Sequence, residues 1–275
     1  MHVLIVGFGL IGKQLATMLV AQGHAVTALS RTVAQQAGVR HLAQSVQAIN
    51  LSGIPAIDWV YVILSPDART ASAYSQVFCD SLVPLSRTLQ SHPVQHMVFI
   101  SSTSVYGEQQ GEWVDEHSRV MPTTATAQVL WQAEQQWREY WQNRLIVIRP
   151  SGIYGPQRLR LINWVKQAKP VKTGQWTNRI HEADLVGFLA HLICLTQHEA
   201  VYILTDQCPV QQQQVLDYIA QQLCMKPVEP IESMVTGKCI RSVYLADSGY
   251  VLHYPSYVEG YAAIIAQQAN ANFDS

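Results

Sequence analysis

Gly7-Phe8-Gly9-Leu10-Ile11-Gly12 is a G-x-G-x-x-G stretch, and it directly follows a short apolar run at residues 3–6 that is typical of a buried strand. A helical pattern continues from the turn to about residue 22. Strand, glycine-rich turn and helix in this order predict a site for the pyrophosphate of a dinucleotide. Gly7 would make the tight turn, Gly9 would let the backbone approach the phosphates, and Gly12 would allow close packing of helix on strand. The alternative is a glycine-rich turn that binds no ligand.

The end of the second predicted strand, residues 25–29, indicates which dinucleotide the turn would bind. Ser30 and Arg31 follow this strand, and no acidic residue stands beside them in sequence to accept hydrogen bonds from the ribose of NAD. An arginine here suits the 2′-phosphate of NADP, so the sequence favours NADP over NAD. The alternative is an exposed arginine at the start of a helix. The predicted cofactor site also includes the residues between the glycines, Phe8, Leu10 and Ile11.

Two further segments contribute to the predicted cofactor site. Residues 46–51 are predicted as a short third strand, and Asn50 at its end could contact the adenine edge; a turn-forming asparagine is the alternative. Residues 58–64 form a continuous apolar run suited to a strand buried on both faces. Leu64 and Ser65, at the carboxyl end of this run, are assigned to the cofactor site.

Strand and helix patterns alternate through the first half of the chain. Strands are predicted at residues 96–101 and 145–149, and helices at 67–90 and 123–142, with Pro84 expected to kink or split the first helix. The alternation predicts an α/β fold with a Rossmann-type, doubly wound parallel sheet. We predict a dinucleotide-binding domain at residues 1–150, a smaller C-terminal substrate lobe packed on it at 151–266, and a frayed tail at 267–275.

Composition narrows the partners that the chain could bind. The 275 residues carry a formal net charge of -1, so nucleic acid is not expected as a partner. Five scattered cysteines form no C-x-x-C pair and ten histidines show no metal-ligand spacing, so no metal site is predicted. No apolar run reaches the roughly 18 residues of a membrane span, and no basic leader precedes the first strand. A cytoplasmic protein without a membrane partner is therefore expected.

Three later segments resemble the extended short-chain dehydrogenase/reductases, also called the NAD-dependent epimerase/dehydratase family. Residues 101–107 (SSTSVYG) are similar to the family's fifth-strand motif S-S-x-x-V-Y-G. Residues 149–156 (RPSGIYGP) resemble its R-P-x-x-x-Y-G-P motif, and residues 180–185 (IHEADL) resemble a segment with His three positions before Asp. The motifs come in the family's order. The resemblance implies a nucleotide-linked sugar or similar small molecule as the substrate, with NAD(P) as the cofactor.

The family's next motif, P-x-x-x-Y-x-x-x-K-x-x-x-E, is only partly present. Pro122 and Glu134 fall in place, but Thr126 stands at the Tyr position and Leu130 at the Lys position. In the family's usual chemistry the Tyr phenol exchanges a proton with the substrate, and the Lys cation stabilises the phenolate. An aliphatic hydroxyl releases its proton far less readily than a phenol. Residues 111–116 (GEWVDE) and 254–260 (YPSYVEG) resemble an atypical branch of the family that also lacks the pair.

Other side chains are candidates for the missing group. Ser102 occupies the position of the family's active-site Ser or Thr and could hydrogen-bond a substrate oxygen; a strand-end serine bonded to backbone is the alternative. Tyr106 could act as the proton donor, with packing or binding as its alternative roles. Both are predicted near the carboxyl end of a central strand, where α/β sheets bind ligands. Tyr154 is expected near the nicotinamide and is counted with the cofactor site.

Two functions remain open on the sequence. The first is an NAD(P)-dependent oxidoreductase or epimerase-like enzyme with a non-standard active site, acting on a nucleotide sugar or a related carbonyl or hydroxyl compound. The second is a non-catalytic NADP-binding redox sensor or scaffold, which the replacement of Tyr and Lys favours. Family members commonly dimerise through the helices before the fifth and sixth strands, so the resemblance also implies a homodimer through residues 67–90 and 123–142.

Overall fold

The structure is a computed structural model that describes residues 1–107 and 110–273. In chain order the strands are β1 (His2–Val6), β2 (Ala25–Ser30), β3 (Val39–Ala43), β4 (Trp59–Val62), β5 (His96–Ile100), β6 (Gln110–Val114), β7 (Leu145–Pro150), β8 (Gly152–Tyr154), β9 (Val171–Lys172), β10 (Trp176–Thr177), β11 (Arg179–His181), β12 (Val201–Leu204), β13 (Val210–Gln211), β14 (Pro230–Ile231) and β15 (Gly237–Ile240). The α-helices are α1 (Leu10–Ala21), α2 (Ala71–Tyr74), α3 (Leu82–Leu89), α4 (Ala125–Trp141), α5 (Arg160–Lys166), α6 (Glu182–Leu192), α7 (Gln212–Gln222), α8 (Tyr244–Asp247) and α9 (Tyr257–Phe273).

The chain forms two compact units, of which the first comprises Met1–Val105, Val120–Arg149 and Val186–Tyr202. Within the described residues its sheet has seven strands in the order β12-β7-β5-β4-β1-β2-β3. The strands pair in parallel from β3 through β2, β1, β4 and β5 to β7. This confirms the predicted α/β fold with a Rossmann-type parallel sheet.

The central strands are apolar because helices cover both faces of the sheet. Every residue of β1 and β4 is buried, and β1 lies between β2 and β4. Strands buried on both faces have continuous apolar sequences, whereas half-buried strands alternate polar and apolar residues. Helix α1 adds Leu15, Ala16 and Leu19 to this core. The sheet therefore holds the carboxyl ends of β2, β1 and β4 side by side.

The predicted third strand at residues 46–51 is wrong. The third strand is β3, and Val46–Ala48 instead form a turn of 3-10 helix. Val46 and Leu51 are buried, so the short apolar run marks burial in the core and not a strand. Strand β3 escaped prediction because it lies at the edge of the sheet and its sequence, VRHLA, is partly exposed and polar.

The predicted helix over residues 67–90 is divided into shorter pieces. Helix α2 leads into a π-helical turn, Ser75–Cys79, and α3 begins at Leu82. Pro84 lies in the first turn of α3, where the N–H groups have no intrahelical partner and the missing N–H of proline costs no hydrogen bond. The split expected from Pro84 therefore occurs before it and not at it.

The second unit comprises Tyr106–Arg119, Pro150–Leu185 and Ile203–Ser275. Helices α5, α7 and α9 enclose its apolar core, which includes Ile162, Val165, Leu216, Ile219, Tyr261 and Ile264. The same unit contains two-stranded parallel pairs, among them β8 with β11 and β6 with β15. The division differs from the predicted boundary at residue 150, because residues 106–119 join this unit and residues 186–202 join the first.

The predicted tail at residues 267–275 also differs from the structure. Helix α9 continues through residue 273, so the tail is helical as far as the chain is described. Residues 274–275 lie outside the described residues.

Candidate functional site

A cavity of about 520 Å³ lies in the first unit, at the carboxyl ends of β1, β2 and β4. This volume is in the range of pockets that hold cofactors and drug-sized ligands. The cavity is lined by seven of the predicted cofactor residues: Gly7, Phe8, Gly9, Ser30, Arg31, Leu64 and Ser65. Their contribution to cofactor binding stays a prediction, but the structure brings them together around one cavity.

Two of the three glycines are required by the backbone itself. Gly7 has φ +107°, and a Cβ there would lie 2.1 Å from the Ile63 carbonyl oxygen. A Cβ at Gly12 would lie 2.2 Å from the Gly7 carbonyl oxygen. A side chain at Gly7 would therefore collide with the backbone beside the tight turn, and one at Gly12 would push α1 away from that turn. Both positions need glycine, as the sequence pattern predicts.

Gly9 differs from the other two because the structure leaves space around it. Apart from Gly9 and its two chain neighbours, no described atom lies within 4 Å of the position that a Cβ would take at Gly9. Its φ of -79° and ψ of -161° are open to any residue. Gly9 is also the N-cap of α1, and no side chain caps this helix end. The open space and the uncapped N–H groups form a cradle into which an anionic group fits.

Of the remaining residues of the turn, only Phe8 lines the cavity. Phe8 is buried, with its ring centroid 5.5 Å from that of His41. Leu10, Ile11 and Gly12 belong to the first turn of α1 and are not among the lining residues. The predicted cofactor contacts of these three positions therefore have no support from the cavity lining.

Arg31 lies at the cavity and forms an ion pair that the sequence did not reveal. Its guanidinium donates two hydrogen bonds to the Asp67 carboxylate, Nη1 to Oδ2 and Nη2 to Oδ1, both at 2.8 Å. The two side chains are 70% and 71% exposed. The ion pair raises the pKa of Arg31 and lowers the pKa of Asp67. The hydrogen bonds between the two side chains are the larger cause, and the attraction of their opposite charges is the smaller one. Asp67 also lines the cavity.

Asn50 does not line the cavity, which corrects the reason for its assignment. Its Oδ1 accepts a hydrogen bond from the Ser52 backbone N–H at 2.8 Å, as in a turn. The cavity is lined instead by residues after the true third strand: Gln44, Ser45, Val46 and Gln47. Sequence reasoning missed this segment because it misplaced the strand. The signal that could have found it is Gly38, whose φ of +74° makes the turn before β3.

Ser102, in the first unit, accepts a hydrogen bond through Oγ from the Ser104 backbone N–H at 3.1 Å. This is the backbone bonding that the sequence left open as the alternative to a substrate contact. A hydroxyl that accepts one hydrogen bond can still donate its proton to a substrate oxygen. The catalytic role of Ser102 therefore stays a prediction.

Helix α4 carries the two positions where the family has Tyr and Lys. It packs against the short 3-10 turn Thr103–Val105. Leu130 is 2% exposed and contributes an apolar contact where a cation would stand. Thr126 is partly exposed, and its Oγ1 lies 3.3 Å from Oγ1 of Thr124, the N-cap residue of the helix. Neither side chain can exchange a proton with a substrate near neutral pH.

One turn further along α4, Glu134 takes part in a buried ion pair. The Arg149 Nε donates to Glu134 Oε1 at 3.1 Å, and Nη2 donates to Oε2 at 2.5 Å. The Ser101 hydroxyl donates to the same carboxylate. The Arg149 guanidinium carbon lies 5.6 Å from the ring centroid of Trp131. These hydrogen bonds tie α4 to the residue after β5 and to β7, so the buried Glu134 carboxylate has a structural role.

Tyr106 and Tyr154 belong to the second unit. Tyr106 is 1% exposed, and its backbone carbonyl accepts a hydrogen bond from Lys238 Nζ. The Tyr154 hydroxyl donates to the Ser256 carbonyl at 3.3 Å, and its ring stacks on Tyr261 at a centroid distance of 4.9 Å. Burial raises the Tyr154 pKa well above its ordinary value. The predicted roles of Tyr106 in proton donation and of Tyr154 in cofactor binding stay predictions.

The carboxylates of two further motifs, IHEADL and GEWVDE, form hydrogen bonds inside the second unit. Asp184 accepts from the backbone N–H groups of His253 and Tyr254, at 2.6 and 2.9 Å. Glu116, in the GEWVDE segment, accepts from the Ser242 hydroxyl at 2.6 Å and from the Val243 N–H at 2.8 Å. These carboxylates fix loops, so the motifs that contain them have a structural role here.

The described residues contain neither a cluster suited to a metal ion nor a membrane-spanning helix. Within residues 1–107 and 110–273, no group of three or more His, Cys, Asp and Glu side chains is arranged to hold a metal ion. None of the helices in this part of the chain has the length and apolar character needed to cross a membrane.

Comparison with known proteins gives the family. The family model of the NAD-dependent epimerase/dehydratase family matches residues 3–184, and the chain belongs to this family. A solved structure from Methylobacillus flagellatus, named for the same family, is 32% identical with a TM-score of 0.81, and the match covers 98% of both chains. Protein YeeZ of Escherichia coli K12 is 23% identical over 86% of this chain and 89% of its own length.

A third similarity concerns the fold alone. MoeE5, solved in complex with UDP-glucuronic acid and NAD, has a TM-score of 0.81 at 19% identity, over 98% of this chain and all of its own. The family match and the shared fold place this chain among the Rossmann-type members of the NAD-dependent epimerase/dehydratase family.

Proposed function

We propose that this protein binds NADP, or more weakly NAD, in the cavity at the glycine-rich turn. We further propose that it acts as an oxidoreductase or epimerase-like enzyme with a non-standard active site. The observation that carries the proposal is the cradle at Gly9, where open space meets the uncapped N-terminus of α1. Such a helix end attracts a phosphate through its N–H groups and its partial positive charge.

The cavity walls fit the rest of a dinucleotide. The pyrophosphate would lie against Gly9 and the first turn of α1, and the adenosine end would extend toward Ser30 and Arg31 after β2. Gln44 and Val46 from the segment after β3 offer a polar and an apolar surface for the adenine. When bound, a nicotinamide dinucleotide accepts or supplies a hydride. The chain's own contribution is to hold and orient the cofactor.

Arg31 supports the preference for NADP. A guanidinium suits a phosphate geometrically and in charge, and it stands where the family places the group that contacts the ribose 2′ position. Because Asp67 already binds this guanidinium, the preference is smaller than a fully available arginine would give. We expect NADP to bind about tenfold more tightly than NAD.

The substrate class rests on the family. MoeE5 binds UDP-glucuronic acid, and this supports a nucleotide sugar or a related carbonyl or hydroxyl compound as the substrate of the present chain. Because Thr126 and Leu130 replace the usual proton-transfer pair, we propose Tyr106 as the proton donor and Ser102 as a substrate-oxygen contact. Ordinary epimerase turnover should then be absent or slow, since general acid–base catalysis contributes about 10²–10⁴ in rate.

A second candidate function is a non-catalytic NADP-binding redox sensor or scaffold. Leu130 favours it, because a buried leucine removes both the cation and its contact with the cofactor ribose. Both functions share the cofactor site, so turnover distinguishes them. Tight NADPH binding without turnover on sugar nucleotides and small carbonyl compounds would favour the sensor.

The assembly and location that we propose follow from the family and the cysteines. A homodimer through the segments 67–90 and 123–142 is retained in the proposal. Trp137 and Trp141 of α4 are buried within the unit, whereas Tyr140 is 41% exposed. A monomer by light scattering would contradict it. The cysteines are unpaired, which suits the reducing cytoplasm.

The test of the cofactor assignment is calorimetric titration with NADP and NAD. Wild-type protein should prefer NADP, and Arg31→Ala should remove the preference while leaving NAD affinity unchanged. Equal affinity of the wild type for both cofactors would contradict the preference. Failure to bind either would overturn the cofactor site itself.

A further inference from the structure

The ion pair between Arg31 and Asp67 joins two sides of the cavity. Arg31 follows β2 and Asp67 follows β4, and β1 lies between these two strands in the sheet. Adjacent strands are about 4.8 Å apart, so the two side chains bridge the width of two strand spacings. The glycine-rich turn follows β1, between the two residues. The ion pair therefore lies beside the place where the adenosine end of a dinucleotide would enter.

Arg31 and Asp67 also determine the charge of the cavity. Among the described residues that line it, they are the only charged ones. Paired with two hydrogen bonds of 2.8 Å, they cancel each other's charge. The lowered pKa of Asp67 and the raised pKa of Arg31 keep both ionised across the neutral range. A cavity that looks basic from its arginine is therefore electrically neutral.

This neutrality affects NAD and NADP differently. The 2′-phosphate of NADP needs the Arg31 guanidinium, which the Asp67 carboxylate already occupies, and the carboxylate also repels the phosphate. NAD carries a hydroxyl at this position and has no need of the cation. The Asp67 carboxylate consequently weakens NADP binding and leaves NAD binding almost unchanged.

We propose that Asp67 is a specificity-determining residue that sets the ratio of NADP to NAD affinity by holding Arg31. The proposal rests on the proposed dinucleotide site in this cavity. Binding of NADP exchanges one partner of the guanidinium for another, the Asp67 carboxylate for the 2′-phosphate. The chain thus contains both the group that recognises the phosphate and the group that competes with it.

The experiment measures dissociation constants of NADP and NAD by calorimetry for wild type, Asp67→Asn, Arg31→Gln and the double variant. Asp67→Asn removes the charge and keeps the shape. Because the two side chains are 70% and 71% exposed and exposed ion pairs are weak, the NADP dissociation constant should fall by about two- to fivefold. The NAD constant should stay almost unchanged, because NAD has no phosphate that needs the guanidinium. In the Arg31→Gln background the same substitution should lose most of its effect on NADP, because no guanidinium is left to release.

The control is Glu139→Gln, which removes one exposed negative charge from α4 in the same unit. It should leave both constants unchanged, and thermal unfolding of all variants checks their fold. Equal tightening of NAD and NADP in Asp67→Asn, or an equal gain without Arg31, would overturn the proposal. Wild type that binds NAD and NADP, with Asp67→Asn unchanged, would overturn this inference alone. No binding of either cofactor by the wild type would overturn the proposed function together with it.

Discussion

The glycine-rich turn and helix α4 lie in the same unit, and they keep different parts of the family's pattern. In the turn, Gly7 and Gly12 are fixed by backbone contacts that no other residue could make. In α4, Glu134 is held by Arg149, whereas Thr126 and Leu130 occupy the positions of the usual chemistry. The residues that hold the fold and shape the cavity are present, and those that would transfer a proton are replaced. Cofactor binding and catalysis can therefore be tested separately.

The largest expected effect is on cofactor binding. Gly9→Val should abolish measurable NADP binding, because the side chain would fill the space open to the phosphates, while its backbone conformation allows valine. The melting temperature should stay near that of the wild type. Gly12→Val is the contrasting variant, since its Cβ meets backbone and should destabilise the fold. A folded Gly9→Val protein with unchanged NADP affinity in calorimetry would show that the cofactor does not bind at the glycine-rich turn.

The next effect tests whether Glu134 is structural. Glu134→Ala leaves the Arg149 guanidinium buried without its carboxylate partner, which should lower the free energy of unfolding by about 3–5 kcal/mol. Glu139→Ala, at an exposed position of the same helix, should change it by less than about 0.5 kcal/mol. Urea unfolding measures both variants. Similar small effects at the two positions would contradict the structural role given to Glu134.

A third prediction concerns the proton donor. If a substrate is found, Tyr106→Phe should lower kcat by about 10²-fold or more, because it removes the hydroxyl and keeps the buried ring. Thr126→Ala should change kcat little. NADPH oxidation at saturating substrate measures both variants. The reverse pattern would assign the chemistry to α4 after all and remove the contrast between the two regions.

The smallest expected effect is a pH dependence of the free energy of unfolding that cofactor binding does not share. Burial raises the pKa of the Asp206 carboxyl to about 7, with Asp184 adding to the effect and Arg179 opposing it. The folded state then holds a proton that the unfolded state has lost, so this group's contribution to stability falls as pH rises and is lost above pH 7. Between pH 6 and pH 8 this costs about 1 kcal/mol.

Asp206→Asn should remove that decline, which is measured as the difference in unfolding free energy between the two proteins at each pH. NAD affinity should stay flat over the same interval, because the ionised Arg31 and Asp67 do not titrate there. Identical pH dependence of stability in wild type and Asp206→Asn would contradict the assignment of the proton to this carboxyl.

Local geometry explains which features could be predicted from the sequence. The role of Gly12 follows from its close approach to Gly7 and that of Gly7 from its positive φ, and a glycine pattern after a strand encodes both directly, although the close approach of Gly7 to Ile63 depends on the fold. The buried strands β1 and β4 were predictable because their sequences are continuously apolar. Strand β3 could not be predicted in this way, since an edge strand does not need a continuous apolar sequence. The apolar residues Val46 and Leu51 are buried although neither lies in a strand.

The ion-pair partners of charged residues could not be predicted from the sequence for a different reason. Arg31 meets Asp67 across 36 positions of the chain, and only the order of β4, β1 and β2 brings them together. The sequence showed a cation suited to a phosphate, and the fold added the carboxylate that competes for it. The net charge of a predicted site can therefore be worked out only when the strand order is known.

The most direct test of the cofactor site is a crystal structure of the protein with NADPH. We predict that the pyrophosphate oxygens lie within hydrogen-bond distance, roughly 3 Å, of the backbone N–H groups in the first turn of α1 next to Gly9. We also predict that the 2′-phosphate contacts the Arg31 guanidinium and displaces the Asp67 carboxylate from it. A dinucleotide bound elsewhere, or a pyrophosphate that does not touch this turn, would contradict the account.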